Sequence, residues 1–535
     1  MQLGALKQLP LGTSDFPALR QEGQIYVDKS RMIFELASQR RKFFFSRPRR
    51  FGKSLLISAF ESLFRHGTAE FQGLAIEHLW QDKSAYSVVR LDFSTIKQFS
   101  DLHQFIKQFE ELLASSFSKI GFIFNSNSGF SLLRQLSDWM LSIPRTSLVI
   151  LVDEYDAPLT VCLDDPERFE EIRNVLSAFY AVLKSNDAPI RFLFITGITK
   201  FSKTTIFSEL NNLSDISLSP KYGALLGYTH DDVRTYFREH LTYAAEVLST
   251  TPEALFEELA SQYDGFCFEE TARQKVFAPW SLLSFFAEPE RGLKNYWFES
   301  GGQPRMLLEY VKSHSVRKPE EYENEKKLQL DDLSASSNLQ NLDDNLLLTQ
   351  AGYLTIKAVR GSTVTLGYPN REVASSMGRL YAESMLNKDA MNRAGEGYLS
   401  DFLRDEDFSG FVAELNRLIL GIDYARFPIH DEASCRGAVH LMLACARLTA
   451  TPENHNALGR SDLEVMVGRT LWVFEFKFAR SGQSADRLCR DGAEQAALHR
   501  YGEQRSAAGL NRAVLVFSED ERQFSAFSCS KISGS

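Results

Sequence analysis

Short apolar runs alternate with amphipathic segments along the N-terminal part of the chain. Apolar runs at 43–45, 87–93, 148–152 and 190–195 predict strands, and the spacing of apolar residues at 55–63, 101–118 and 131–142 predicts helices. The five consecutive apolar residues at 148–152 indicate a strand that is buried on both faces, as in a parallel sheet. Strands separated by helices are typical of βαβ units, so the pattern predicts an α/β fold with a mainly parallel sheet.

The middle of the chain has a different pattern. Residues 227–315 are predicted to be mostly helical, and the charged and polar residues 317–345 are predicted to form a solvated linker with helical pieces. A helix that ends at Gly352 is then followed by the hairpin pattern of residues 353–366. A helix followed by a hairpin is consistent with a winged-helix unit and with a simple packing module, and the pattern favours the packing module.

A second hairpin is predicted near the C-terminal end, with its turn at Gly468-Arg469. If this pair forms a two-residue loop, Asp462 faces Glu475 across the two strands, with Cβ atoms roughly 5 Å apart. Lys477 lies two residues after Glu475 and therefore shares its face of the strand. This geometry brings two carboxylates and one ammonium group onto one patch of the hairpin.

Length and composition limit the classes of protein to which the chain can belong. Its 535 residues are enough for about three domains, with predicted bounds of 1–226, 227–380 and 381–535. The net charge of −9 argues against a uniformly basic nucleic-acid surface, so any such surface must be local. The sequence has no signal-peptide core and no apolar run of about 20 residues, and its six scattered cysteines look like reduced thiols. These features predict a cytoplasmic protein without membrane contact.

The first candidate site follows the strand at 43–45. A polar loop leads from this strand to Gly52-Lys53-Ser54 and then to a helix, which is the layout of a phosphate-binding P-loop. The N–H groups at the helix start would bind the anion, Lys53 would reach the β- and γ-phosphates, and Ser54 would hold Mg²⁺. Arg47 stands where the P-loop pattern has its first glycine, so these residues alone are equally consistent with an ordinary helix start.

Two acids at the end of a buried strand decide between these alternatives. Asp153 and Glu154 lie where open α/β sheets bind their ligands. Asp153 can hold a Mg²⁺ shell, and Glu154 can orient the water that attacks the γ-phosphate. Thr196, at the end of the next strand, is a candidate sensor of the γ-phosphate, as are Thr199 and Lys200. The combination favours a nucleotide site over a polar turn.

The patch on the C-terminal hairpin is the second candidate site. Directly opposed acids such as Asp462 and Glu475 destabilise a hairpin, and a divalent metal between them would reverse that interaction. Together with Lys477 they suit metal-assisted hydrolysis of a phosphodiester. Glu432 on an upstream helix and Gln495 on a downstream helix could complete such a site. The alternative is an exposed hairpin that carries these common residues, and the hairpin alone does not separate the two.

The residues of both sites resemble one family of proteins. The chain resembles the bacterial AAA-ATPase-like proteins, whose P-loop reads Arg-Pro-Arg-Arg-Phe-Gly-Lys-Ser, at 26–30, 47–55, 152–156, 196–202, 211–213, 263–265 and 366–370. Residues 459–462 and 475–477 resemble the motif of the PD-(D/E)XK nuclease-like domain that commonly follows in this family. Arg47 is the norm in this family. Ser461 replaces a Pro that is often missing in the nuclease superfamily, so it does not count against a site.

The resemblance implies a P-loop NTPase sheet, a helical middle region that could include a winged helix, and a C-terminal α/β restriction-endonuclease-like domain. It implies ATP and Mg²⁺ as cofactors and DNA as a partner, and it leaves a homo-oligomer open. The residues implied in nucleotide binding are Arg49, Arg50, Gly52, Lys53, Ser54, Leu55, Asp153 and Thr196, although Arg49 and Arg50 could equally serve the fold of the loop. The residues implied in catalysis are Glu154, Glu432, Asp462, Glu475, Lys477 and Gln495, and the implied metal ligands are Ser54, Asp153, Asp462 and Glu475.

The leading hypothesis for function is an ATPase coupled to a metal-dependent DNA nuclease-like domain, in which the ATP state gates or positions the C-terminal site. A role in defence against foreign DNA or in mobile-element biology follows by analogy alone. One alternative is an ATP-dependent signalling or remodelling switch whose C-terminal domain binds nucleic acid or a partner without cleaving. The other is a nucleotide-sensing scaffold without enzymatic activity.

Overall fold

The computed structural model describes most of the chain. The described residues are 6–200, 212–299, 326–334, 343–448, 450–455, 459–503, 507 and 509–532. The chain divides into two compact units, the first made of 1–311 with 326–370 and the second of 312–325 with 371–535. The domain bounds at residues 226 and 380 stay predictions, and the helix Arg371–Met385 spans the second of them.

The first unit is built on a five-stranded parallel sheet. Its strands are β1 (Lys42–Ser46), β2 (Ser87–Asp92), β3 (Leu148–Asp153), β4 (Ile190–Gly197) and β5 (Leu213–Asp215), in the order β2-β3-β4-β1-β5. Every residue of β1 and β3 is buried, as expected for strands that are covered on both faces. The four strands that the apolar runs predict are confirmed, and β5 is an additional edge strand.

Helices pack around this sheet and extend the first unit. They are α1 (Phe16–Gln21), α2 (Ser30–Ala37), α3 (Lys53–His66), α4 (Leu102–Ser118), α5 (Leu132–Ser142), α6 (Ala157–Thr160), α7 (Pro166–Ser185), α8 (His230–Tyr236), α9 (Arg238–Val247), α10 (Pro252–Tyr263), α11 (Pro279–Ala287), α12 (Tyr296–Glu299), α13 (Leu330–Ser334) and α14 (Asp344–Ala351). The predicted helices α4 and α5 begin after Asp101 and Ser131, whose side chains accept hydrogen bonds from the first turn. The mostly helical character predicted for 227–315 is confirmed up to residue 299, and residues 300–315 lie outside the described residues.

Two small sheets complete the first unit. A two-stranded sheet is formed by β6 (Phe266–Cys267) and β7 (Lys275–Val276). The predicted helix and hairpin are confirmed as α14, β9 (Thr355–Arg360) and β10 (Thr363–Gly367). The prediction of a linker is wrong at β8 (Lys326–Gln329), which pairs with β10. Alternate residues of β8 are half-buried, as expected for a strand with one face turned toward the protein. Residues 317–325 and 335–342 of the predicted linker lie outside the described residues.

The helix–hairpin module, by which we mean α14, β8, β9 and β10, packs against the P-loop. At Gly352, which ends α14 with a φ of 86°, an added Cβ would lie 2.8 Å from the ring of Pro48 and 3.1 Å from Trp297. A side chain there would therefore push the module away from the loop. The module thus belongs to the structure that supports the P-loop.

The second unit contains a mixed five-stranded sheet. Its strands are β11 (Ala450–His455), β12 (Arg460–Val467), β13 (Thr470–Ala479), β14 (Gly509–Ser518) and β15 (Gln523–Ile532), in chain order. Neighbouring strands are antiparallel except β13 and β14, which are parallel and are joined through a helix. The helices of this unit are α15 (Arg371–Met385), α16 (Lys388–Gly395), α17 (Tyr398–Arg404), α18 (Phe408–Ile419), α19 (Glu432–Cys445) and α20 (Ala485–Leu498).

The predicted turn and register of the C-terminal hairpin are confirmed. Val467 pairs with Thr470 across the turn, and the same register continues to the pair Leu463 and Phe474. With a parallel α/β sheet in the first unit and a mixed α/β sheet in the second, the predicted fold class is also confirmed.

Candidate functional sites

The P-loop joins β1 to α3. Gly52 precedes α3 with a φ of 97°, a left-handed conformation that residues other than glycine adopt rarely. The Nζ of Lys53 donates hydrogen bonds to the carbonyl oxygens of Arg47, at 2.8 Å, and Pro48, at 2.9 Å. Burial lowers the pKa of Lys53, against the opposing charges of Glu154 and other acids. Two neutral carbonyl oxygens therefore hold the ammonium group at the position from which it would bind a phosphate.

Arg47, which replaces the first glycine of the P-loop pattern, is a structural clamp. Its side chain is 2% exposed, and burial lowers its pKa to about 9. The guanidinium lies between two aromatic rings, 4.2 Å from the centre of Phe45 and 4.5 Å from that of Phe268. It donates hydrogen bonds to the carbonyl oxygens of Ser46, Ser217 and Tyr222. Arg47 therefore anchors the P-loop to the residues around it.

The acids at the end of β3 are held by different partners. Asp153 is buried and accepts a hydrogen bond from the Oγ1 of Thr196 at 2.7 Å. Glu154 has a φ of 49°, and its Oε2 lies 3.0 Å from the Nζ of Lys97. Burial acts to raise the pKa of Glu154, but the charges of Lys97 and Lys53 outweigh it and the net shift is downward. Glu154 is therefore an ionised carboxylate that faces cations.

The other two candidate sensors are engaged elsewhere. Thr199 donates its hydroxyl to the buried carboxylate of Asp156, which also accepts the N–H of Thr199. The Nζ of Lys200 lies 3.1 Å from Asp215 and is 3% exposed. Of the three candidates, Thr196 is the one that is bonded to an acid of the predicted site.

The P-loop residues open into a cavity of about 430 Å³. Seven predicted site residues line it, namely Arg49, Arg50, Gly52, Lys53, Ser54, Leu55 and Glu154. The lining also includes apolar residues, among them Leu226, Pro279 and Trp280. The guanidinium of Arg50 stacks on the ring of Trp280 at 4.3 Å. A cavity lined by both cationic and apolar residues fits the phosphates and the base of a nucleotide.

Lys97 and Trp280 are two of the lining residues that were not predicted as site residues. Lys97 lies in the loop after β2, and Trp280 lies in the first turn of α11. Neither carries a local signal, because each reaches the cavity from a distant part of the chain. The spacing along the sequence therefore could not place them.

The second unit brings its five predicted residues together. The Nζ of Lys477 donates hydrogen bonds to the Oε1 of Glu475, at 2.8 Å, and of Gln495, at 3.1 Å. It also lies 4.0 Å from the Oε1 of Glu432, at the start of α19. Asp462 accepts the N–H of Phe476 at 2.8 Å, which fixes its carboxylate beside Glu475 on the neighbouring strand. Lys477 is the centre of this cluster.

The carboxyl groups of the cluster hold their protons more tightly than usual. Burial, followed by the charge of Asp462, raises the pKa of Glu475 to about 7. Burial also raises the pKa values of Asp462 and Glu432. For Lys477, burial acts to lower the pKa, but the hydrogen bond and the charge of Glu475 raise it overall. Each of these shifts follows from the burial of charged groups close to one another.

The Oε2 of Glu475 is the atom that best indicates whether the cluster fits a cation. It is buried and has no hydrogen-bond partner among the described residues. A buried acceptor without a partner is costly, and a cation between Glu475 and Asp462 would satisfy it. Within the described part of the chain, however, no group of three or more His, Cys, Asp or Glu side chains is arranged to hold a metal ion. The donor set is thus two carboxylates, which leaves most of a hard cation's coordination to water or substrate.

Two arginines that were not predicted face the same cluster. Arg436 lies one helical turn after Glu432 on α19, and Arg460 lies two residues before Asp462 on β12, so each shares a face with an acid of the site. The charges of both act to lower the pKa of Asp462, against the larger effect of burial. The i, i+4 spacing and the strand alternation were signals that could have indicated both residues.

Two family-like segments without an assigned role meet in the first unit. At Gly265, which has a φ of 93°, an added Cβ would lie 2.2 Å from the carbonyl oxygen of Pro369. The side chain of Asn370 donates a hydrogen bond to the carbonyl oxygen of Asp264 at 2.7 Å. The segments 263–265 and 366–370 therefore form one structural joint. Residues 201, 202 and 211 of the other family-like segments lie outside the described residues.

Comparisons with known proteins agree with this two-part organisation. The family described as "Predicted AAA-ATPase" matches residues 10–207, and the PD-(D/E)XK nuclease superfamily matches residues 430–526. A protein of Azotobacter chroococcum mcd 1, named "Uncharacterized protein in vnfD 5'region", is 30% identical over 537 residues, which is 97% of this chain and 98% of the relative. Within the described residues, no helix combines the length and the apolar composition that crossing a bilayer requires.

Two solved structures show a weaker likeness. Cdc6p from Pyrobaculum aerophilum is 10% identical, with a TM-score of 0.26 over 67% of this chain and 95% of its own. The ORC2 protein of Aeropyrum pernix is 12% identical, with a TM-score of 0.24 over 70% of this chain and 96% of its own. Scores this low carry no argument, so the assignment depends on the family matches and the full-length relative. The chain belongs to the family of AAA-ATPase-like proteins that have a C-terminal domain of the PD-(D/E)XK nuclease superfamily.

Proposed function

We propose that the chain binds and hydrolyses ATP at the P-loop and cleaves DNA with a divalent metal at its C-terminal domain. The observation that carries the nuclease part is the cluster of Asp462, Glu475 and Lys477, in which one buried carboxylate oxygen has no hydrogen-bond partner among the described residues. The family supplies the class of both domains, and the chemistry assigned to each site is our proposal.

At the P-loop, the residues present fit a nucleotide with Mg²⁺. Lys53 would exchange its two carbonyl partners for phosphate oxygens, which are charged and therefore stronger acceptors. Ser54 and Asp153 would hold the ion, whose charge offsets that of the phosphates. Glu154, kept ionised by Lys97, would orient the attacking water.

At the C-terminal cluster, the residues present fit a hard divalent cation such as Mg²⁺. Asp462 and Glu475 would hold the ion, which would polarise the phosphodiester when bound. Lys477 would stabilise the charge that develops on the phosphate, and Gln495 fixes the position of its ammonium group. Glu432 adds a third carboxylate at the edge of the cluster, close to Lys477.

Metal-dependent cleavage by purified variants tests the nuclease proposal. We expect the wild-type chain to cleave DNA in Mg²⁺ or Mn²⁺, and Asp462→Ala and Lys477→Ala to lose this activity while remaining folded. Asp486→Ala, which removes an exposed acid from the first turn of α20, is the matched control and should cleave normally. Equal cleavage by all four proteins would identify the activity as a contaminant.

The same assay, run with and without ATP, tests the proposed coupling. Lys53→Ala should abolish ATP hydrolysis, and if ATP gates the second site it should also remove the effect of ATP on cleavage. Unchanged ATP turnover in Lys53→Ala would contradict the P-loop assignment. If the rate of cleavage is the same with and without ATP in every variant, the two activities are independent.

One observation favours a second candidate function. Within the described residues, no group of three or more His, Cys, Asp or Glu side chains is arranged to hold a metal ion, which is compatible with a C-terminal domain that binds nucleic acid without cleaving it. The protein would then be an ATP-dependent switch. DNA binding without cleavage in Mg²⁺ and in Mn²⁺, with ATP hydrolysis intact, is the result that this candidate predicts.

A further inference from the structure

A basic cleft lies at the end of the first unit's sheet that is remote from the P-loop. It has a volume of about 390 Å³ and is lined by Arg40, Arg41, Lys42, Asp187, Ile190, Arg191, Asn212 and Ser214. These residues come from the amino ends of β4, β1 and β5, which are neighbours in the sheet. The P-loop follows the carboxyl end of β1. At about 3.3 Å per residue, the length of β1 places the two sites on the order of 16 Å apart.

The positive charge of the cleft is only partly neutralised. Arg40 donates hydrogen bonds to the carbonyl oxygens of Ala188 and Ile190. Arg191 donates to the carbonyl oxygens of Ala37 and Gln39, at the end of α2. Carbonyl oxygens fix a guanidinium in place but leave its charge intact, whereas a carboxylate would cancel it.

Asp187 is the one acid among the described residues that line the cleft. It forms an ion pair with Lys42 and so neutralises one of the four cations. Asp82 does not line the cleft. Burial acts to raise the pKa of its carboxyl, but hydrogen bonds from Tyr86 and Ser84 lower it overall, and the charge of Arg191 contributes less. The lining therefore has a net charge of +3, from four cations and one acid, in a chain whose total is −9. Like charges gathered in one cleft repel one another unless an anion joins them.

The lining also indicates which part of an anion the cleft would contact. Ile190 is the one apolar residue among those described, and no aromatic side chain lines the cleft in that set. A nucleobase needs an apolar or aromatic surface on which to stack, and the P-loop cavity has one. Fixed guanidinium groups with polar neighbours suit phosphate oxygens instead.

We propose that this cleft binds the phosphate backbone of DNA, as a contact separate from the C-terminal cluster. The choice of DNA over other polyanions depends on the function proposed above, whereas the phosphate chemistry depends on the cleft alone. Contacts of this kind neutralise backbone charge and hold the duplex in place without reading its sequence.

Arg41 gives the sharpest test, because its side chain is exposed and makes no hydrogen bond or ion pair with the described residues. Its backbone bonds, to Gln39 and Leu193, do not involve the side chain. We expect Arg41→Glu in the full chain to bind a labelled DNA duplex about 5- to 10-fold more weakly, measured by fluorescence anisotropy without metal or nucleotide. The slope of log affinity against log salt should also become shallower by about 1.

Two further variants make the test specific. Arg41→Lys keeps the charge and should bind almost as the wild type does. Lys107→Glu makes the same change of charge on the exposed face of α4 and should leave the affinity unchanged. Wild-type affinity in Arg41→Glu, or an equal loss in Lys107→Glu, would overturn the proposal. Cleavage by the C-terminal cluster is measured separately with Asp462→Ala, so either proposal can fail while the other stands.

Discussion

Lys53 and Lys477 are the central cations of the two candidate sites, and their partners differ in kind. Lys53 is bonded to two neutral carbonyl oxygens, and burial lowers its pKa. Lys477 is bonded to a carboxylate and an amide, and the hydrogen bond and charge of Glu475 outweigh burial to raise its pKa. The first ammonium therefore has no full counter-charge in its hydrogen bonds, whereas the second has one.

The surroundings of the two lysines extend this difference. Among the described residues that line the P-loop cavity, Glu154 is the one acid against five cations, which are Lys29, Arg49, Arg50, Lys53 and Lys97. In the C-terminal cluster, three carboxyl groups lie around Lys477, Arg436 and Arg460 share faces with two of them, and the pKa of each carboxyl is raised. The first site is therefore suited to an anion such as a nucleotide phosphate, and the second to a cation such as a metal ion.

Among the variants that test this difference between the two sites, a change at Glu154 is expected to have the largest effect. Replacement by Gln removes the charge that we propose orients water but keeps the size of the side chain, so ATP turnover should fall on the order of 10²- to 10³-fold. ATP binding, measured by calorimetry, should persist because the cations remain. Glu111→Gln, an exposed acid on α4, is the control. If Glu154→Gln hydrolyses ATP at the wild-type rate, the acid has no part in the reaction.

Arg47 provides the next test, because its contacts hold the P-loop in place and its role is structural. Arg47→Met would leave three carbonyl oxygens without their donor, and we expect the unfolding free energy to fall by about 2–3 kcal/mol. Urea unfolding followed by fluorescence measures the change. Arg31→Met, an exposed position on α2, should cost little. A stable Arg47→Met variant that fails to bind ATP would instead make Arg47 a phosphate ligand.

The cation site makes a prediction about pH. Because the folded-state pKa of Glu475 is about 7, its proton must leave before a metal can bind well near neutral pH. Affinity for Mn²⁺ should therefore fall about tenfold between about pH 8 and about pH 6, measured by calorimetry. Glu475→Gln should bind weakly at both pH values. A pH-independent affinity in the wild type would place the ion elsewhere.

The same pKa fixes the sign of a stability effect. The folded-state pKa of Glu475 lies above its ordinary value of 4.5, so in this range the folded chain holds a proton that the unfolded chain has released. The contribution of this group is fully present below about pH 4.5 and is lost as the pH rises to about 7. Without metal, thermal unfolding of the second unit should report this loss, and Glu475→Gln should remove it.

The smallest expected effect concerns the apolar residues that line the P-loop cavity. Trp280→Leu removes the ring on which Arg50 stacks, and the affinity for ATP should fall about 3- to 10-fold. Trp280→Phe should retain part of the affinity because a ring remains. Competition between ATP and inorganic triphosphate separates a loss of base contact from a loss of phosphate contact. Equal losses for both ligands would mean that Trp280 shapes the loop and does not meet the base.

Features that depend on local spacing could be predicted from the sequence. The strand–loop–helix at 43–63 and the register of the C-terminal hairpin, from Leu463 and Phe474 to the turn, each follow from patterns within about 20 residues. Charges that meet across the fold could not be predicted in this way. Arg47 contacts Phe268 and Tyr222, and Arg50 contacts Trp280, because of tertiary packing. The periodicity of the local sequence does not indicate these contacts.

Short polar strands were missed for a related reason. β8 has only four residues, alternates between exposed and half-buried positions, and sits in a charged context that is typical of linkers. Its identity as a strand comes from pairing with β10, more than 30 residues later. The edge strand β5 is shorter still and depends on β1.

The packing of the helix–hairpin module against the P-loop determines where the chain can be shortened. Gly352 lies against Pro48, and Phe51 has ring contacts with Phe266 and Trp297. A fragment that stopped at residue 226 would expose these apolar surfaces and leave Arg47 without the ring of Phe268. We expect such a fragment to aggregate when expressed. A fragment that ran to residue 370 would keep every one of these contacts and should be soluble enough for separate study of the nucleotide site.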